Sequence, residues 1–244
     1  MAENANVAAI SVAHSRFNCP YVKVFEEERE LTVMLLIDVS GSLDFGTSGQ
    51  LKRECATEIA ATLAFSAIQN NDKIGVIFFS DYIEKYIAPK KGRKHILYLI
   101  REMLTFTPNS KRTDVGVSLE YLNKVMKRRC TAFVISDFYT RKDFSQELRI
   151  ANKKHDVVAI QVYDPRAKEM PDVGLMKVVD AETGHEMYID THDARLRKVH
   201  NKYWEEREIR LHEMLSQSHV DSVAIATDDD YVKMLMTLFS KRNR

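Results

Sequence analysis

Residues 31–42 read LTVMLLIDVSGS. The nearly continuous apolar run Leu31 to Ile37 is far shorter than the roughly 20 residues a membrane span requires. It lacks the polar alternation of a strand with one wet face, and it stops abruptly at Asp38 and a glycine-containing polar turn. Such a run reads as a strand buried on both sides, the kind that builds parallel sheets. Four further runs share this character: IGVIFF (74–79), AFVI (132–135), VVAIQVY (157–163) and SVAIA (222–226). Between them apolar residues recur at helical spacing, as in Leu51, Cys55, Ile59 and Leu63, then Ile96, Leu97 and Ile100, then Val117, Tyr121 and Val125. Strands alternating with helices predict an α/β chain with a mostly parallel sheet.

Departures from the alternation are informative. YIEKYI (82–87) alternates directly after Ser80-Asp81 and before Pro89, which predicts a hairpin to an antiparallel edge strand. LMKVVD (175–180), AETG (181–184) and HEMYID (185–190) predict a second hairpin, turned at Gly184, as an insertion near 172–192. From Asp193 to Ser218 a long charged helix is expected, with Leu196, Val199, Tyr203, Leu211 and Leu215 as its buried stripe and KYWEERE as its solvated middle. The last helix, Asp229 to Ser240, is preceded by Asp228 and closed by Lys241 and Arg242, which suits the helix dipole. The triplet Asp228, Asp229, Asp230 therefore reads as capping. Residues 1–28 show no clear pattern and are expected to be a partly ordered segment ahead of one domain over 29–244.

With 45% apolar and 29% charged residues in 244, the chain can bury a core without covalent staples. Cys19, Cys55 and Cys130 form no CxxC pair, and the start lacks a basic segment followed by an apolar one, so reduced thiols and a cytoplasmic setting are expected. A net charge of +1 creates no general attraction to nucleic acid or an anionic membrane. The basic runs KKGRK (90–94) and KRR (127–129) carry no stacking aromatics and read as solvated faces. No HExxH, Walker loop, dinucleotide GxGxxG or GxSxG elbow occurs.

In open α/β sheets ligands sit beyond the carboxyl ends of the strands. Three loops converge there. Asp38, Ser40 and Ser42 follow the first strand at spacings of two, with Gly41 allowing a tight turn. Asp137 follows AFVIS, and Ser110-Lys111-Arg112-Thr113-Asp114 precedes a helix. Two carboxylates with several hydroxyls make a hard oxygen site, suited to Mg²⁺ or Mn²⁺ rather than to zinc or copper. Structural roles compete for some of these residues. Thr113 could simply cap the following helix, Asp44 and Asp114 suit turns or caps, and Asp81 and Asp164 suit surface turns.

DVSGS, the Thr113 of KRTD and the Asp137 of ISDF resemble, in order and separation, the three loops of the metal-ion-dependent adhesion site of von Willebrand factor A domains. The wider wording, KVFEEERELTVMLLIDVSGS, FSAIQNNDKIGVIFFSD and KKHDVVAIQVYDPR, is similar to the bacterial family called domain of unknown function 58 over nearly the whole chain. The resemblance implies a von Willebrand factor A-like, Rossmann-like fold with a mostly parallel sheet, one antiparallel edge strand and helices on both faces. It implies Asp38, Ser40 and Ser42 as metal ligands, Thr113 as a conditional one, and Asp137 as a direct or water-mediated one. It further implies a protein-binding adaptor rather than an enzyme, whose metal captures a carboxylate of a partner. Family members are typically encoded beside MoxR-type AAA+ ATPases, which makes such an ATPase the expected partner. The competing reading is a Mg-dependent phosphoesterase or nuclease, although position 40 is Ser where a DxD phosphatase would carry its second aspartate.

Overall fold

The computed structural model describes residues 11–14, 20–23, 31–47, 49–140, 142–181 and 183–242. The chain divides into Met1–Glu30 and Leu31–Arg244. In the first unit β1 (Ser11–His14) pairs antiparallel with β2 (Pro20–Lys23). The rest of the segment 1–28, Cys19 included, lies outside the described residues.

The second unit is built on β3 (Thr32–Asp38), α1 (Lys52–Gln69), β4 (Lys73–Phe79), β5 (Ile83–Lys90), α2 (Arg93–Thr105), α3 (Val115–Val125) and β6 (Thr131–Ser136). It continues through α4 (Ser145–Lys154), β7 (Asp156–Tyr163), a single turn α5 (Pro165–Lys168), β8 (Leu175–Val179), β9 (Glu186–Asp190), α6 (Ala194–Gln217), β10 (Asp221–Ala226) and α7 (Tyr231–Arg242). The sheet order is β10-β7-β6-β3-β4-β5, parallel throughout except for β5. This is the expected α/β architecture, a mostly parallel sheet with one antiparallel edge strand and helices on both faces.

Alternate residues of each buried strand feed opposite faces of the sheet. On β3, Val33, Leu35 and Ile37 pack with α1, α2 and α7, whereas Met34 and Leu36 pack with α3, α4 and α6. Both faces are dry, which is why the strand sequences show no polar alternation. The edge strand runs further than expected, past Pro89 to Lys90, because a proline on an outer strand costs no ladder bond. Its register shifts opposite Gly75, where a side chain would meet the Ile87 carbonyl oxygen at 2.7 Å and the Pro89 nitrogen at 2.8 Å.

α6 corrects one expectation. Asp193 caps it and Ser218 ends it, yet only Leu211 and Leu215 of the expected stripe are buried; Val199 is 71% exposed and Tyr203 47%. The first half of the helix meets polar backbone rather than the sheet. His200 Nε2 contacts the Ala167 carbonyl at 3.0 Å, and Asn201 accepts from the Met170 N–H at 3.3 Å. At the other end of the chain one member of the acidic triplet caps α7, Asp230 accepting from Lys233 N–H at 3.2 Å, while Asp229 accepts from the N–H of Ala226 at the end of β10 at 2.8 Å. The basic runs at 90–94 and 127–129 are exposed, and Cys55 and Cys130 are buried free thiols.

Cys130 leads to a measurable consequence. Its Sγ lies 3.4 Å from Nδ1 of His155, a fully buried imidazole at the end of α4. Burial first, then the charges of Lys154 and Arg129, pull His155 down to about 4. The unfolded chain takes up that proton near the ordinary value of 6.5, so the neutral folded form is favoured above it. Stability is expected to fall as pH drops from about 6.5 towards 4, by on the order of 2 kcal/mol attributable to this residue. Urea titrations across that range should show the slope reduced in His155→Leu relative to wild type.

Candidate metal centre

The sheet order places β4 on one side of β3 and β6 on the other, so the chain reverses direction across the sheet between β3 and β6. A crevice at the carboxyl ends of such strands is where an open α/β sheet binds ligands. Asp38 closes β3, and Asp137 directly follows β6, which is paired alongside it through Ile37 and Ile135. Topology therefore brings together two carboxylates separated by almost a hundred positions.

Both are almost completely buried, as are Ser40, Ser42 and Thr113. Asp38 Oδ1 accepts from the Ser40 N–H at 2.8 Å, and Oδ2 from the Ser136 hydroxyl at 2.6 Å. The hydroxyls of Ser40 and Ser42 are 3.1 Å apart. Burial, reinforced by the negative charge of Asp137, pushes the Asp38 carboxyl up to about 7 despite those hydrogen bonds. Asp137 is held below the usual carboxylate range although burial opposes this, because the Lys52 ammonium sits 2.6 Å from its Oδ2. Its Oδ1 accepts from the Tyr139 N–H at 2.9 Å.

The second loop is laced to the other two. Lys111 O accepts from Gly41 N–H at 3.0 Å, and Thr113 O accepts from the Thr140 hydroxyl at 3.2 Å. The helix cap at this position is Asp114, whose carboxylate accepts from Val117 N–H at 3.4 Å and pairs with Lys142 at 2.6 Å. Thr113 is thus not the cap, and its buried Oγ1 has no hydrogen-bond partner among the described residues. Buried hydroxyls are normally satisfied, so this orphan has room for a partner that the described residues do not supply. Three hydroxyls, one of them unsatisfied, and two carboxylates fit a hard divalent cation. Among the described residues, no three or more His, Cys, Asp or Glu gather as a metal-binding group, so hydroxyls would have to complete any coordination here.

Gly41 matters for a reason other than the expected tight turn. A Cβ there would stand 2.7 Å from the Ala181 carbonyl oxygen and 3.0 Å from Lys111 Cβ. The turn of the β8–β9 hairpin therefore leans on the Asp38–Ser42 loop and walls the crevice. Asp44 pairs at the surface with Arg53 at 2.8 Å. Asp164, expected at the surface, is instead fully buried: it caps α5 and accepts from Thr47 N–H at 2.6 Å, because it pins the loop after β3 to the end of β7. Asp81 is half-buried.

Residues that no motif singled out also build the centre. Lys52 opens α1, where a cation opposes the helix dipole; that misplacement was the available sequence signal. Ser136 supplies a hydroxyl from the last position of β6. Arg207 of α6 donates to the Asp137 carbonyl at 3.0 Å while its guanidinium lies 4.7 Å from the Tyr139 ring centre and 4.8 Å from that of Trp204. KYWEERE, expected as a solvated stretch, therefore braces the third loop. Burial and the neighbouring Tyr203 push the Tyr139 hydroxyl up to about 12.

The sequence matches the family model described as "Protein of unknown function DUF58" over residues 11–209. The chain belongs to this family. Uncharacterised proteins of Mycobacterium bovis and Mycobacterium tuberculosis are 34% identical to this DUF58 chain over 172 residues, 70% of its length and 54% of theirs. It thus spans about half the length of these curated relatives. Among solved structures, the conserved hypothetical protein BatB from Bacteroides thetaiotaomicron superposes with a TM-score of 0.58 at 15% identity, over 86% of this chain and 98% of that one. An aerotolerance-related membrane protein from Bacteroides fragilis gives 0.60 at 14% identity, over 86% and 99%. At such identity these likenesses show the fold.

Lys52 offers a direct test of the electrostatics. Lys52→Met leaves the buried Asp137 without its counter-charge and is expected to cost about 3–5 kcal/mol in chelator. Added Mg²⁺ should restore part of that loss, so the melting-temperature gain on adding Mg²⁺ should be larger in the variant than in wild type.

Proposed function

We propose that this DUF58 chain is a divalent-metal-dependent protein-binding module that captures a carboxylate of a partner protein. The observation that carries the reading is the buried, unpartnered hydroxyl of Thr113 in a loop tied to two buried carboxylates and two serine hydroxyls. Asp38, Ser40, Ser42 and Thr113 would hold Mg²⁺ or Mn²⁺, with Asp137 contributing directly or through water. The cation supplies a positive centre that is not fully neutralised, to which an incoming carboxylate binds.

The residues around it prepare that charge balance. Lys52 offsets Asp137, so the cation has one uncompensated carboxylate, Asp38, to neutralise. What remains is a net positive site, which favours an acidic side chain over a neutral one. Ser136 and the Ser40 N–H hold Asp38 with one orientation. Arg207 and the Tyr139 N–H hold the Asp137 loop.

The partner class in this proposal is a MoxR-type AAA+ ATPase, and its support is the family resemblance. The module is not an enzyme in this reading and works in the cytoplasm; among the described residues no helix is long and apolar enough to cross a membrane. Calorimetric titration with Mg²⁺ and Mn²⁺ should show one site in wild type and none in Asp38→Ala. A purified MoxR-type ATPase should be retained by the wild type with Mg²⁺ and released by EDTA or by Asp38→Ala. Retention unaffected by both would overturn the adaptor reading, and metal-dependent hydrolysis of a phosphoester lost in Asp38→Ala would replace it with an enzyme.

A further inference from the structure

A groove of about 510 Å³ runs between α6 and the loop that leads from Phe138 into α4. Lys142, Arg149, Arg207 and Arg210 line it, against the carboxylates of Asp143 and Glu213. Asp143 is already engaged, accepting from the N–H of Ser145 at 2.9 Å and from its hydroxyl at 3.1 Å. Lys142 is paired with Asp114. Arg149 and Arg210 are exposed, and neither meets a carboxylate among the described residues. The Nε of Arg149 donates to the Ser145 carbonyl at 3.2 Å, which sets the direction of its guanidinium. In a chain of net charge +1 this is a local concentration of positive charge rather than part of a general field.

The lining also has an apolar side, formed by Leu211, Met214 and Phe144. We propose that this groove takes an acidic segment of a protein partner, one that sets glutamates or aspartates on Arg149 and Arg210 and an apolar side chain against Met214. Charge complementarity selects that occupant. A second copy of the chain docking by the same face would oppose arginine with arginine. A single nucleic-acid strand is held by stacking on aromatic faces as well as by charge; of the lining aromatics, Phe138 and Phe144 are buried against each other at 6.1 Å and Tyr203 is exposed, so an oligonucleotide is the competing occupant that the test below includes.

The groove deepens the partner-binding reading given above and rests on it in one respect. Arg207 lines the groove and holds the Asp137 carbonyl, so a segment lying there touches the residue that braces the metal loop. A partner that places one carboxylate on the cation and its neighbouring acidic residues in this groove gains two attachments with one stretch of chain.

The experiment uses the full chain and a labelled peptide alternating Glu and Leu, followed by fluorescence anisotropy at low and raised salt. A control peptide carries Lys in place of Glu, and a single-stranded oligonucleotide serves as a second probe. The acidic peptide should bind in a salt-sensitive manner. Arg149→Glu with Arg210→Glu should weaken it by about tenfold or more, and the milder Arg149→Gln with Arg210→Gln by less, with circular dichroism melts verifying that both variants fold. Asp38→Ala should lose metal binding yet keep the arginine-dependent part of the affinity, so failure of the metal reading and failure of the groove show in different variants. Equal binding by folded arginine variants, equal binding of the Lys peptide, no binding of the acidic peptide to wild type, or preference for the oligonucleotide would each overturn the proposal. Self-association abolished by the charge reversal would assign the groove to a second copy instead.

Discussion

Two carboxylates, Asp38 and Asp137, share the buried carboxyl ends of adjacent parallel strands, with the single ammonium of Lys52 bound to one of them. Burying two like charges is unfavourable unless something opposite compensates them. The surrounding structure can be understood as the response to that constraint. Ser136 and the Ser40 N–H satisfy Asp38, Lys52 and the Tyr139 N–H satisfy Asp137, and Arg207 fixes the backbone between them. Compensation nevertheless stops one charge short, and Thr113 contributes a hydroxyl with no partner among the described residues. The proposed cation would meet both the missing charge and the unpartnered hydroxyl.

The fold supplies the place for this arrangement. Central strands dry on both faces leave polar groups to gather in the loops at their carboxyl ends, and the change of direction between β3 and β6 opens a crevice there. Three additions shape its surroundings. The β8–β9 turn presses on Gly41, Asp164 ties the loop after β3 to the end of β7, and α6 extends beyond the sheet to brace the third loop. Arg207, near the middle of α6, serves the site just before the helix reaches its buried residues Leu211 and Leu215.

The central strands were legible because burial on both faces removes polar residues from a run, and Asp38, Ser40, Ser42 and Asp137 were legible because they follow such runs at once. The edge strand was legible from YIEKYI, though its extension past Pro89 depends on the partnerless outer side of the sheet. The exposed upper half of α6 was not legible: Leu196, Val199 and Tyr203 recur at helical spacing, and periodicity cannot distinguish a helix packed along its whole length from one that overhangs. Lys52, Trp204 and Arg207 were missed for a related reason, although the cation at the start of α1 marked Lys52 as unusual without naming its partner. Each acts across the tertiary structure, from about 70 to 85 positions away in the cases of Arg207 and Lys52, and no local pattern encodes such a contact. Thr113 had two local readings, and only the position of Asp114 as the actual cap separated them.

The most direct measurement is an anomalous difference map from crystals of the wild-type chain grown with Mn²⁺. The account predicts one peak in the crevice bounded by Asp38, Ser40, Ser42 and Thr113, with the Thr113 hydroxyl turned to it and Lys52 still on Asp137. A crevice without a peak at saturating Mn²⁺, with Thr113 Oγ1 bonded to an ordered water instead, would contradict it.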